Sequence, residues 1–267
     1  MSAAAATAPK PPIRHRKNVY FLTPGQLASL REAFAAVQGI SDNRGYQFYA
    51  GIHGVPGGYC VHNPPPTVIS LFLPWHRAYL YFFELALRDQ VPDAMLTWWN
   101  WASPRAHQRG IPAAFAADEA DGQPNPLLKA AIDPSLGGPH ETHREPDHPA
   151  NLPTAKAVQN VLKIQQFNRF SARLEDIHGD FHVWVGGEMG RIDWAAYDPI
   201  FWAHHANIDR LWARWQLTHS PVFPRAYLDH ALPPFPMTVR QTLDVSQLGY
   251  DYASSTSHVT VPCWRSR

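Results

Sequence analysis

Cysteine is nearly absent from this chain: Cys60 and Cys263 are the only two in 267 residues, so no disulfide framework can organise the fold. A chain of this length can bury enough core to do without one. Long apolar runs are missing as well. The most hydrophobic stretch, residues 69–87, is interrupted by Pro74, His76, Arg77 and Glu84. It falls short of the roughly 18 uninterrupted apolar residues of a membrane-spanning helix. Neither sign of charge dominates: 23 Lys and Arg stand against 22 Asp and Glu, and the basic stretch Arg14 to Lys17 is short. That balance offers no electrostatic footprint for nucleic acid or an anionic membrane, and it fits a small, roughly neutral partner. The start, Met1 to Pro12, is rich in Ala and Pro and lacks the charged beginning and apolar stretch of an export signal. Residues 1–13 therefore read as a disordered tail, and the compartment, which the sequence does not fix, leans cytoplasmic.

What the chain has in excess is imidazole and aromatic surface: 15 His, with 10 Trp, 10 Tyr and 13 Phe. Abundant histidine points to a metal. Helix signals dominate. Thr23-Pro24-Gly25-Gln26 carries an N-cap, a proline at the first helical position and a capping-box glutamine. Leu27, Leu30, Phe34 and Val37 then share one face until Gly39. A second helix is predicted from about Asn43 to His53, and a third from Pro74 through Trp75 to Arg88, with His76 in its first turn. Residues 103–153, rich in Pro, Gly and Asp, read as a long surface excursion with one short helix near 126–132. Helical pattern returns at 154–166 and 168–184, where Gly186-Gly187 breaks it. Asp198-Pro199 caps a last helix reaching about His219. Beyond Pro221 the chain reads as loop with short strands. The expected architecture is mainly α, four helices facing inward with long loops around them.

The strongest local signal is His178-Gly-Asp-Phe-His182, because histidines at i and i+4 project from one helix face and can grip one metal ion. A third ligand is available from His204-His205 in an aromatic helix, where a buried imidazole needs a partner. Asp209, one turn after His205, is placed to orient that ring or a neighbouring one. His53, His62 and His76 form a parallel set in the first half. All-imidazole ligation suits copper, zinc or iron, and two facing three-histidine sites favour copper and dioxygen, since two Cu(I) ions together supply two electrons. A zinc hydrolase would want a carboxylate base beside the paired histidines. His140, His143 and His148, like His15, His107, His219, His230 and His258, read as surface or packing residues, and Cys263 as a free thiol.

These residues resemble the type-3 copper proteins, the tyrosinases, catechol oxidases and molluscan-type haemocyanins. Phe72-Leu-Pro-Trp-His-Arg-Ala-Tyr-Leu-Tyr-Phe-Phe-Glu84 resembles the first copper signature of that family, and Asp198-Pro-Ile-Phe-Trp-Ala-His-His-Ala-Asn-Ile-Asp209 the second. Thr97-Trp-Trp-Asn-Trp101, Arg16-Lys17 and Tyr250-Asp-Tyr252 resemble further family elements. The resemblance covers roughly residues 14 to 252, leaving 253–267 as a short C-terminal extension. It implies a four-helix bundle with a binuclear copper centre, the first copper held by His53, His62 and His76 and the second by His178, His182 and His205. His204 is then a packing or gating residue, or part of the substrate pocket. Cys60-Val-His62 is similar to the Cys-x-His unit that becomes a thioether in some members.

Three departures bear on function. The interval from His62 to His76 is longer than usual and holds Pro64-Pro65-Pro66. Gly179 stands where many monophenol-hydroxylating tyrosinases have asparagine, leaving Glu175 as the candidate base. The chain also stops soon after the tyrosine motif, so the site is expected to be open or covered by a separate protein. The implied activity is oxidation of catechols to o-quinones by dioxygen, with monophenol hydroxylation or o-aminophenol oxidation on the same centre. Oxygen carriage of the haemocyanin kind is the alternative. The partners expected are dioxygen, a small phenol and a copper-delivery helper, with Val183, Met189, His204 and Asn207 at the pocket mouth.

Overall fold

The computed structural model describes residues 12–252 except Asn63 and Pro66. The extension expected over 253–267, most of the tail expected over 1–13, and with them His258 and Cys263, lie outside the described residues.

In chain order the elements are β1 (Arg14–Arg16), α1 (Pro24–Gln38), α2 (Tyr46–His53), α3 (Phe72–Gln90), α4 (Pro104–Arg109), α5 (Ala113–Ala116), β2 (Glu119–Ala120), β3 (Gln123–Pro124), α6 (Ala155–Leu162), α7 (Phe167–Val185), α8 (Pro199–Gln216), α9 (Arg225–Leu228), α10 (Val239–Thr242) and β4 (Tyr250–Tyr252). Short 3-10 turns lie between several of them. Four helices, α2, α3, α7 and α8, carry the histidines inward, with α3 packed on both α7 and α8 and α1 bracing α2 and α3 from outside. No described helix is long and apolar enough to cross a membrane.

Local chemistry explains the boundaries. The capping box at the start of α1 forms as read, Thr23 accepting from the Gln26 amide and the Gln26 side chain accepting from that of Thr23. At α8 the Asp198 carboxylate accepts from the Ile200 amide, with Pro199 at the first helical position. Gly186 and Gly187 end α7 with φ of 65° and 53°, a left-handed backbone that favours glycine.

Two expectations need correcting. Helix α3 starts at Phe72, two residues before Pro74. Proline is tolerated at the third position because amides of the first turn have no intrahelical acceptor to lose. His76 therefore sits one residue beyond that turn, and its Nδ1 donates to the Phe72 carbonyl at 2.8 Å. The second correction concerns residues 103–153. They are not a detached surface excursion, and no helix forms at 126–132. Leu127, Ala130 and Ile132 are buried, and Arg144 forms a bidentate ion pair with Asp198 at the start of α8. Arg144 also donates to the carbonyls of Phe115 and Leu127, so one side chain pins the excursion to the bundle. Apolar anchors scattered among turn residues have no period and are invisible to a pattern search.

The core is aromatic. Phe83 stacks on Trp202 with centroids 3.6 Å apart, and Phe170 on Trp215 at 4.5 Å. At one end of the bundle β1 pairs in parallel with β4, bringing Arg16 under Tyr250 with the guanidinium carbon 3.6 Å from the ring centroid.

Candidate dicopper centre

His53 is the last residue of α2, and its Nδ1 donates to the Ile192 carbonyl at 3.2 Å. His62 comes from the following loop, its Nδ1 donating to the Glu175 carboxylate on α7 at 3.0 Å. His76 completes the set from α3. The three ring centroids form a nearly equilateral triangle with sides of 6.0, 5.8 and 5.8 Å. A carbonyl or carboxylate oxygen only accepts, so in each neutral ring the proton sits on Nδ1 and the lone pair on Nε2. The His53 Nε2 is buried without a hydrogen-bond partner, as an atom kept for a cation would be. Cys60 Sγ lies 2.9 Å from His62 Nε2 and 3.4 Å from His76 Nε2.

The second set is built on α7 and α8. The Nε2 atoms of His178 and His182 lie 3.2 and 3.3 Å from that of His205. His182 Nδ1 donates to the Met189 carbonyl at 2.7 Å, which leaves its Nε2 as a lone pair directed at the same point. Such convergence is repulsive until a cation occupies it. His204 behaves differently: Trp101 Nε1 donates to its Nδ1 at 3.1 Å, so its proton is on Nε2, and its ring stacks on Phe181 at 4.0 Å. That tautomer leaves the His204 ring no free lone pair, whereas the His205 Nε2 converges with those of His178 and His182.

The two sets face each other, with His76 stacked on His205 at 4.5 Å and His62 beside His178 at 5.6 Å. Burial, before any other cause, pushes the imidazoles of His53, His76, His178, His182 and His205 below their ordinary range, that of His182 to about 4. The rings are therefore neutral near pH 7, the form that binds metal. Two all-imidazole sets, a buried orphaned Nε2 and a sulfur alongside fit a pair of copper ions.

A cavity of about 610 Å³ reaches His53 and His62 on one side and His178 and His182 on the other. Glu175, Gly179, Val183, Met189 and Ile192 line it, and the exposed side chains of Val183 (76%) and Ile192 (55%) mark its mouth. A Cβ at Gly179 would meet nothing within 4 Å.

Of the four residues expected at the mouth, Val183 stands there and the buried Met189 lines the cavity wall. His204 and Asn207 are not there: both are buried and neither lines the cavity, because α8 turns them toward Trp101 and Arg210 instead. Asp209 also departs from its expected role. Its carboxylate accepts from Arg77 at 2.5 Å, Tyr250 at 2.7 Å and Tyr252 at 2.5 Å, with Arg16 at 3.5 Å, and among the described residues it contacts no histidine. Two arginines and two phenols outcompete a neutral imidazole for a buried carboxylate. Sequence reasoning missed Phe201, whose ring lies 4.0 Å from His205 and 4.9 Å from His53, flooring both sets. Its signal was the aromatic position one turn before His205.

Comparison with known proteins agrees with this geometry. The common central domain of tyrosinase matches residues 43–218. Hemocyanin G-type, units Oda to Odg, of Enteroctopus dofleini is 33% identical over 226 residues, which cover 76% of this chain and 7% of that protein. Hemocyanin beta-C chain unit D of Helix pomatia is 31% identical over 219 residues, 75% of this chain and 51% of that one. The chain thus spans between 7% and about half of the length of the first curated relatives it matches. Among solved structures, a functional unit from octopus hemocyanin superposes with a TM-score of 0.74 at 27% identity, covering 90% of this chain and 68% of that one. Tyrosinase from Burkholderia thailandensis at low pH reaches 0.78 at 22% identity, covering 92% and 76%, a likeness of fold. With the tyrosinase central domain spanning most of its length and both histidine sets in place, the chain belongs to the type-3 copper proteins.

Proposed function

We propose that this chain oxidises o-diphenols to o-quinones with dioxygen. The observation that carries the reading is the cavity, which gives a single aromatic ring direct access to histidines of both sets. When bound, the copper pair supplies the electrons that reduce dioxygen and a Lewis-acidic place for a phenolate oxygen. The protein does the rest. Nδ1 donations to Phe72, Met189, Ile192 and Glu175 fix four of the six ligand rings, and Phe201 and Phe72 wall the site against water. Glu175 is the one buried carboxylate in the cavity wall, Asp176 and Asp180 being exposed, and it is the base we assign to the phenol proton. With Gly179 beside it rather than an amide side chain, catechols are the favoured substrates and monophenols or o-aminophenols secondary ones. Cys60 Sγ is close enough to the His62 ring for the thioether that the Cys-x-His unit implies, the thiol and ring hydrogens leaving as two protons and two electrons that dioxygen would accept, and a mass lower by two hydrogens on the isolated peptide would reveal it.

Reversible oxygen binding is the second reading, favoured by the hemocyanin units among the relatives at 33% and 31% identity. One experiment separates the two. The protein is loaded anaerobically with copper, exposed to air while the near-ultraviolet band is recorded, and then given a catechol or a matched monophenol. Sustained quinone formation from catechol establishes the oxidase. A band that fades on removing oxygen, with no quinone from either phenol, establishes the carrier. Loading by free copper to less than two ions per chain would call for a delivery protein.

A further inference from the structure

Three arginines packed into the fold are neutralised by carboxylates. Arg16 meets Glu84 and Asp209, Arg77 meets Asp209, and Arg144 meets Asp198. Arg210 on α8 is largely buried, its guanidinium carbon 3.8 Å above the Trp98 ring, yet among the described residues no carboxylate lies within ion-pair distance of it. Among those residues its hydrogen-bond acceptor is Asn207 Oδ1, at a long 3.4 Å. Arg214, one turn on, adds a second positive charge, and burial together with that neighbour pushes the Arg210 guanidinium down to about 10. A partly buried cation beside an exposed like charge gains from an anion that bridges the two.

The space for it exists. A cavity of about 230 Å³ lies between α6, α8 and the start of α4, lined among others by Asn100, Ser103, Gln159, Asn207, Arg210 and Arg214, and it shares no lining residue with the copper cavity. The lining contains no acidic residue. Two guanidinium groups flanked by amide and hydroxyl donors are the donor set for a small oxyanion, and a planar guanidinium stacked on an aromatic ring presents its edge N–H groups as a fixed fork.

We infer that this cavity is a second ligand site that takes one small oxyanion of the phosphate class between Arg210 and Arg214. Asn100 sharpens the test, because an aspartate there would place a resident carboxylate in the same cavity without altering the side chain's shape. Calorimetric titration of the copper-loaded protein with inorganic phosphate, in a buffer free of other oxyanions, is expected to show one saturable site per chain. Arg210→Gln should weaken it about tenfold or more. Asn100→Asp, which keeps both arginines, should weaken it comparably while copper content stays at the wild-type value, and it decides the matter if Arg210→Gln does not fold. No saturable heat in the wild type overturns the inference. So does binding that survives both substitutions, which would put the phosphate outside this cavity.

Discussion

Glu175 on α7 holds His62, a ligand of the opposite histidine set, through a 3.0 Å contact with its Nδ1. The loop that carries His62 has no helix to fix the ring, unlike His53 and His76, so its orientation is set from across the centre. The first histidine set is thereby incomplete without the helix that carries part of the second.

Glu175→Ala should release that ring and weaken copper binding at the first site by about tenfold or more, the usual scale for losing a partner behind a metal-bound histidine. Glu175→Gln, whose amide oxygen can still accept from Nδ1, should recover most of the copper but not the proton-accepting role. Copper content of both variants after dialysis, set beside their quinone formation, separates positioning from catalysis. Equal copper retention in wild type and Ala variant would show that the contact positions nothing.

His204 and His205 should respond in opposite ways. His205→Ala is expected to leave one copper per chain and abolish oxidation, whereas His204→Gln should keep both ions and cost about 1–3 kcal/mol of stability through the lost partner of Trp101 and lost stacking on Phe181. Metal analysis and thermal unfolding read both.

Gly179→Asn fills open space at the cavity wall, and the exchange also removes a glycine from a helix interior, a position that costs roughly 0.5–1 kcal/mol relative to alanine. The variant is expected to fold at least as well as the wild type and to shift the ratio of monophenol to catechol turnover upward. An unchanged ratio would mean that an amide beside Glu175 does not govern hydroxylation in this cavity.

Asp209→Asn tests the buried cluster at the end of the bundle. It leaves Arg77 and Arg16 less compensated, so a loss of about 3–5 kcal/mol is expected, read as a lowered denaturant midpoint. Copper stoichiometry should be unaffected in whatever fraction remains folded, because Asp209 bonds to arginines and tyrosines and to none of the six histidines of the two sets.

Acid should destabilise the metal-free chain. The folded His182 ring is pushed down to about 4 from an ordinary value of 6.5, and the other buried ligand rings move the same way. Between those values the unfolded chain binds more protons, so stability is complete above about pH 6.5 and falls as the pH drops toward 4. Urea midpoints of copper-free protein across that interval give the slope. Copper should flatten it, since a bound ligand nitrogen has no lone pair for a proton.

Much of the site was legible because the helices announce their histidines. His178 and His182 sit at helical spacing, and the caps at Thr23 and Asp198 are written in a few adjacent residues. What could not be read is what depends on distant partners. Asp209 looked like a histidine's neighbour by sequence and is claimed by Arg16, Arg77, Tyr250 and Tyr252 from three other segments. His204 and Asn207 looked available because helix periodicity says which residues share a face, not which face meets the cavity. Arg144, in a stretch without period, gave no sign that it would clamp the start of α8.

The pairing of β1 with β4 has a mechanical consequence. The strands run parallel, Arg14 opposite Tyr250 and Arg16 opposite Tyr252. Tension applied where the chain enters β1 and where it leaves β4 drags the two strands past each other lengthwise rather than peeling them apart one rung at a time. Their backbone bonds, together with the grip of Arg16 and Tyr252 on Asp209, are then loaded all at once, so a pull on the two ends meets its resistance at this seam before any force reaches the helices that carry the histidines.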